Sequence, residues 1–301
     1  GSGGGIRQFT DRTVDFGATD GPMTDSQITA ARGNVLHVPT VLGAVVPIYT
    51  VPGVTQQLRF TPEILAAIFL GQITNWNDSR IAAANPGVTL PTRDILVVHR
   101  SDGSGTTYVW TDYLAKVSPE WARRVGKGTA VSWPVGLGGQ GNPGVANTVQ
   151  RTPGAIGYVE LVYALQNRIA YGLVRNRAGA FVNATLASTT AAAAAAVAAL
   201  GEDTDFRVSI TDPVGADAYP IASFTWILLP REMSDAVKAR TLLEWLWWCT
   251  HDAQRFTTDL GYAPLPERVV RLLEARLKSV TVQGRPVLAA NYGQESPGRR
   301  S

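Results

Sequence analysis

Arg100, Asp102, Ser104, Gly105 and Thr106 fall together in the stretch HRSDGSGTTYVWTDYL, which begins at His99. A guanidinium, a carboxylate and two hydroxyls set among glycines could make an anion site. The apolar run Ile95, Leu96, Val97, Val98 reads as a short buried strand that stops at a polar turn. From Thr106 onward, Tyr108, Val109, Trp110, Tyr113 and Leu114 keep the spacing of a helix with one buried face. Ser101 to Gly105 is then a strand-to-helix loop, with Ser104 or Thr106 near the N-cap. The first turn of a helix presents unpaired N–H groups and partial positive charge. Glycines let a ligand come close to the backbone, and Arg100 at the strand end adds a full charge at the same place. On this stretch alone, an ordinary capped connection fits the same residues.

Other chemistry-bearing patterns carry less. GLGGQG (136–141) matches the spacing of a dinucleotide fingerprint, with Glu160 about twenty residues on. Pro134 just before it fits poorly in a central strand, and the motif lies mid-chain, so it reads as a glycine-rich turn leading into a helix after Pro143. GSGTT has no lysine after its glycines and is not a P-loop. Ser104 does not sit in G-x-S-x-G, because Asp102 stands where the first glycine belongs. A serine nucleophile would also need a base, and His99 lies five residues away on the strand. His37, His99 and His251 have no metal-ligand spacing. One cysteine, Cys249, excludes an internal disulfide and a cysteine zinc site, and its apolar helix makes it a buried structural thiol.

The elements that must hold these residues follow an α/β pattern. TVDFGATD reads as a strand ending at Asp20, and TDSQITAA as a helix capped by Thr24. The apolar stretch VLHVPTVLGAVVPIYTV, broken by prolines, suits strands that cross between lobes. TPEILAAIFLG has Thr at the N-cap, Pro in the first turn and Gly past the end. Residues 185–200 form an alanine-rich helix and 219–230 a second apolar strand run. A long amphipathic helix follows, whose Trp245, Trp247 and Trp248 are expected in core or lobe packing. The 301 residues are 45% hydrophobic and 17% charged, enough for two separate cores. A net charge of +3 is no nucleic-acid footprint. Basic residues adjoin only at Arg123–Arg124 and at Arg299–Arg300, the latter in a polar tail expected to be disordered.

Taken together, GSGGGIRQ, TVDFGATDGPM, TNWND, NPGVTLP, VVHRSDGSGTTYVWTDYLAKV, WPVGLGGQGNPGV, VQRTPGAIGYVE and LGYAPLP occur in an order that resembles one family. It is the periplasmic phosphate-binding protein of the bacterial phosphate ABC transporter. The resemblance runs from residue 1 to about 275 and is weakest over 176–217. It implies a two-lobed α/β fold of the type II periplasmic-binding-protein kind. Each lobe would be a mixed sheet flanked by helices, with the ligand in the cleft. The lobes are expected at 1–46 with 222–301, and at 47–221. Crossings are expected near Val45–Tyr49 and Tyr219–Ser223.

By the same resemblance the phosphate-binding residues are Ser2, Asp20, Arg100, Ser104, Gly105 and Thr106, with Asp102 holding Arg100 in place. GSGGG, which could be read as a linker, becomes part of the fold. The family begins with a further strand and helix carrying a Thr-Phe ligand turn, so the chain is expected to be cut at its N-terminus. The implied protein is a monomer of the periplasm or outer cell surface. It would take inorganic phosphate without cofactor or metal and deliver it to ABC transporter membrane subunits.

Elementary chemistry adds a reason for phosphate. A carboxylate such as Asp20 facing an anion is unfavourable unless the ligand brings a proton, which hydrogen phosphate carries at pH 7 and sulfate does not. Sites built around a substrate hydroxyl reject analogues lacking it by roughly 10⁴–10⁵. Two other readings remain open from the sequence: a phosphate-ester hydrolase using Ser104 and Asp20, and a phosphate-sensing or adhesion surface protein on the same fold.

Overall fold

The computed structural model describes residues 1–293; Arg299, Arg300 and the tail around them lie outside the described residues. Six strands form the central sheet: β1 (Gly17–Thr19), β2 (Leu36–Tyr49), β3 (Leu96–Arg100), β4 (Leu137–Gly139), β5 (Ala155–Glu160) and β6 (Ala222–Leu229). They hydrogen-bond in the order β1-β6-β2-β5-β3-β4.

The proline-broken apolar stretch is a single 14-residue strand, β2, and it changes partner along its length. Leu36 to Ala44 pair antiparallel with β6, with an irregularity between Pro39 and Val41, where proline has no N–H to give the ladder. Val45 to Tyr49 pair antiparallel with β5. The partner changes at Ala44/Val45, and the buried side chains divide next to it, between Leu42 and Ala44. Leu36, Val38 and Leu42 join a core with Phe224, Trp226, Leu243 and Leu273. Val46 and Ile48 join another with Phe60, Leu65, Trp110 and Tyr158. A small third cluster, with Ile6, Phe9 and Met23, seats the helix α1 (Ser2–Thr10) on β1. Two cores on one continuous sheet make two lobes.

The cores divide the chain differently from the 47–221 span at two places. Ala44, Val45 and Val46, expected with residues 1–46, pack in the core of Ile48. Ala192, Val197, Phe206, Ile210 and Ala218 pack with Phe224 and Leu273, while Tyr219 and Ile221 return to the core of Val46. The alanine-rich helix, Leu186–Ala198 with its Thr185 capping box, thus lies against β2 and β6.

The elements that carry the site follow local rules. Helix α2 is Asp25–Ala30, capped by Thr24, and α3 is Pro62–Phe69, capped by Thr61. The strand β3 begins one residue later than Ile95 and runs two residues past Val98, to include Arg100. Helix α4 (Gly105–Val117) starts at Gly105, with Ser104 at its N-cap accepting from the Thr107 N–H at 3.0 Å. The glycine-rich turn expected at 136–141 is instead strand, turn and helix. Leu137–Gly139 pair parallel with Val98–Arg100, and α5 (Gly141–Arg151) begins two residues before Pro143. Long-range pairing overrides weak strand propensity here, and proline is tolerated in a first helical turn. A Cβ on Gly139 would lie 2.8 Å from the Val145 amide, so close packing of this strand on α5 requires glycine.

Two expectations on the tryptophan helix, Ala236–Thr250, are corrected. Trp245 and Trp248 are 39% and 45% exposed, and Cys249 is only half-buried. Helical spacing marks a shared face but not whether anything covers it. Among the described residues no helix is long and apolar enough to cross a membrane.

Candidate functional site

Arg100 ends β3 almost fully buried, and four side-chain hydrogen bonds hold its guanidinium. Nε donates to Asp102 Oδ1 at 2.8 Å and Nη2 to Asp102 Oδ2 at 2.6 Å, a two-pronged pairing that fixes the plane of the group. Nη1 donates to Thr106 Oγ1 and to Asn142 Oδ1, each at 3.3 Å. The backbone N–H of Arg100 donates to the Tyr158 hydroxyl, which also bonds Thr107 Oγ1 at 2.6 Å. Asp102 accepts the Gly141 N–H at 3.0 Å as well. The hydrogen bonds from Arg100 outweigh burial and hold the Asp102 carboxyl down at about 2. The arginine is thereby held by a carboxylate that stays ionised at any ordinary pH.

The opposite wall comes from α1 and the residue after β1. Ser2 is buried, and its Oγ accepts the Asp20 N–H at 3.0 Å. Asp20 Oδ1 accepts from Thr225 Oγ1 at 2.8 Å, and its carbonyl from Ser223 Oγ at 3.0 Å, so β6 fixes this aspartate. The walls meet at Gly105, where a Cβ would lie 2.6 Å from Asp20 Cβ and 2.7 Å from Oδ2, and would strike Ser2 Oγ. Only glycine fits. A backbone bond from Gly3 N to Gly103 O at 2.9 Å closes the same seam.

Burial pushes the Asp20 carboxyl up to about 7, helped by the neighbouring Glu160 and opposed by the Thr225 hydroxyl and Arg100. A cavity of about 10 Å³ lies among Asp20, Thr106, Glu160 and Thr225, room for about one water. A wider groove of about 750 Å³ lies elsewhere, along α3. On its walls Arg80 and Arg175 are paired with Asp78 and Glu63.

The seven residues singled out in the sequence therefore meet in one place. Ser2 and Asp20 form one wall, and Arg100, Asp102, Ser104, Gly105 and Thr106 the other. Ser104 Oγ caps α4 and keeps its own proton to donate. Such a set of N–H and O–H donors around one charged arginine can replace the hydration of a small oxyanion.

A family model described as the PBP superfamily domain matches residues 1–251. A phosphate-binding protein PstS of Xylella fastidiosa strain Temecula1 is 45% identical over 276 residues, covering 91% of this chain and 75% of that one. The chain belongs to the PstS family. PstS of Pasteurella multocida is 42% identical over 282 residues, covering 93% and 80%. Among solved structures, a phosphate-binding protein from Stenotrophomonas maltophilia aligns with a TM-score of 0.69 at 18% identity, covering 91% and 85%. An ABC-type phosphate transport receptor from Vibrio cholerae aligns at 0.57 and 16%, covering 88% and 86%. These identities speak for the fold, which is the two-lobed α/β periplasmic-binding-protein architecture.

For a PstS-family chain, sequence reasoning missed the part that four residues play in completing the walls. Asn142 opens α5 and bridges Arg100 to Glu160, its Nδ2 donating to Glu160 Oε1 at 3.2 Å. Glu160 ends β5 and accepts from the Tyr262 hydroxyl at 2.7 Å. Thr225 holds Asp20. The signal for Asn142 lay in GQGNPG, which opens a second helix pointing its first turn at Asp102; the others carry no local signal.

Proposed function

We propose that this chain captures inorganic phosphate between its two lobes and delivers it to the membrane subunits of an ABC importer, outside the cytoplasmic membrane. One observation carries the reading: a carboxylate, Asp20, forms one wall of a cleft whose other wall is a helix N-terminus and a fixed arginine. An acceptor in an anion cradle suits an anion that brings a proton. Hydrogen phosphate does so at neutral pH and sulfate does not. The PstS relatives, named for phosphate binding, support the same ligand.

The ligand-binding residues in this reading are Ser2, Asp20, Arg100, Ser104, Gly105 and Thr106, with Asp102 as the orienting partner of Arg100. The cavity holds about one water, so entry of phosphate requires the walls at Gly105 and Asp20 to part. We place the lobes by their cores, 1–43 with 186–218 and 222–293 against 44–184 with 219–221. Binding without catalysis is the simpler reading, because Ser104 is fully buried and its Oγ already caps α4. Calorimetric titration with phosphate and with sulfate tests the proposal. Tight phosphate binding with sulfate at least a thousandfold weaker at pH 8 is expected. Equal affinities would remove the role given to Asp20, and release of phosphate from a generic ester, abolished in Ser104→Ala, would favour a hydrolase.

A further inference from the structure

Arg100 is linked to the opposite lobe by an unbroken series of side-chain hydrogen bonds. Arg100 Nη1 reaches Asn142 Oδ1 at 3.3 Å, Asn142 Nδ2 reaches Glu160 Oε1 at 3.2 Å, and Tyr262 Oη reaches Glu160 Oε2 at 2.7 Å. Chemistry fixes the direction of every link. A guanidinium only donates and a carboxylate only accepts, so the Asn142 amide can face its neighbours one way round. Asn142 is buried, which makes the loss of either partner costly. Burial and the adjacent Glu160 push the Tyr262 hydroxyl well above its ordinary range, so it remains a donor.

The two ends of the series belong to different bodies. Glu160 sits on β5, opposite Val45, just past the point where β2 changes partner. Tyr262 precedes Ala263, which exchanges both backbone hydrogen bonds with Leu42 at 2.9 Å, just before that point. Ala263 packs in the core of Leu42 and Phe224, while Val45 and Val159 pack in the other. The Tyr262 ring lies over Gly43, between the two attachments. Any bend of β2 between Leu42 and Val45 changes the distance from Tyr262 to Glu160.

We infer that Tyr262 is an interlobe tie, and that Glu160 and Asn142 are positioning residues through which lobe closure and the setting of Arg100 favour each other. The inference rests on the phosphate-binding reading above. Ordering Arg100 on a ligand would strengthen the tie, and the tie would hold the closed arrangement against opening. The effect belongs in the release rate, because the tie forms only after the lobes have met.

The test uses the full chain, Tyr262→Phe, Asn142→Ala and the double variant. Stopped-flow measurement gives association and release of inorganic phosphate, and small-angle scattering gives the radius of gyration without phosphate and at saturation. Tyr262→Phe keeps the ring over Gly43 and should fold as the parent does. Release from Tyr262→Phe should be about tenfold faster with association nearly unchanged, as for one lost hydrogen bond to a charged group. The double variant should be little worse than the worse single one, since both changes cut the same series. Ligand-free Tyr262→Phe should have a larger radius than the ligand-free parent. Unchanged release, an unchanged radius, or strictly additive effects would each overturn the tie. A parent that binds no phosphate would defeat the functional reading instead, while the ligand-free radius would still decide the tie.

Discussion

Arg100 and Asp102 face each other through two parallel hydrogen bonds, at 2.8 and 2.6 Å, with only one residue between them in the chain. A pair so close in sequence is set by the local turn, before the lobes pack. Asp102→Asn would leave one prong and remove the charge that balances a buried guanidinium. A stability loss of about 3 kcal/mol is expected, since removing one partner strands the other. The folded carboxyl lies below its ordinary value, at about 2. The stabilisation from this pair is thus complete above pH ~4 and fades as pH falls toward 2. Thermal melts of parent and Asp102→Asn from pH 2 to 7 should converge at the acid end; parallel curves would count against the pairing as their source.

Arg100→Ala should weaken phosphate binding by several kcal/mol, far beyond a surface charge, because a buried anion loses its full counter-charge. Calorimetry gives the answer. A loss under tenfold would take Arg100 out of the site.

Asp20 should make both stability and selectivity depend on pH. Its folded carboxyl is raised to about 7, chiefly by burial. The folded state therefore keeps a proton that the unfolded chain sheds from about pH 4 upward, and this group's contribution falls as pH rises from 4 to 7. Asp20→Asn should flatten that slope in ligand-free melts. Below pH ~7 a protonated Asp20 can donate, so sulfate should compete measurably with phosphate at pH 5 and lose at pH 8.5. Competition equal at both pH values would dissociate selectivity from Asp20.

How much of this was legible in the sequence depended on chain separation. Arg100 to Thr106 are contiguous, so strand end, loop and N-cap could be read from residue types alone. Ser2 and Asp20 came only through the resemblance, because Ser2 Oγ meets the Asp20 N–H across 18 residues and Thr225 meets Asp20 across 205. Asn142, Glu160 and Tyr262 become neighbours only when β5 pairs with β2 and Ala263 with Leu42. Leu137–Gly139 has the composition of a turn and is a strand only because β3 offers it an edge. The alanine-rich helix gave no sign of its lobe, since alanine packs against either core.

The crossings predict where closure bends the chain. β2 changes partner at Ala44/Val45, and Tyr219 Oη and the Ile221 carbonyl bond the Val45 backbone at 2.9 Å from the adjacent crossing. Two strands held together there can flex as one hinge while each core moves as a body. Phosphate should reduce the radius of gyration in small-angle scattering, and hydrogen exchange should change at Gly43–Val45 and Tyr219–Ala222. An unchanged radius with binding confirmed in the same sample would contradict closure.

Gly105 gives the sharpest test of that motion. A Cβ at this position would strike Ser2 Oγ and lie 2.6 Å from Asp20 Cβ, whereas α4 itself accepts alanine readily in its first turn. Gly105→Ala should leave the lobe of α4 folded, because Ser104 still caps the helix, yet hold the walls apart. Phosphate affinity should fall at least tenfold, with the melting temperature of the ligand-free protein within a few degrees of the parent. The scattering radius of the variant should stay at its ligand-free value when phosphate is added. Parent-like affinity would mean that Gly105 and Asp20 need not approach each other for binding, and the cleft would have to close elsewhere.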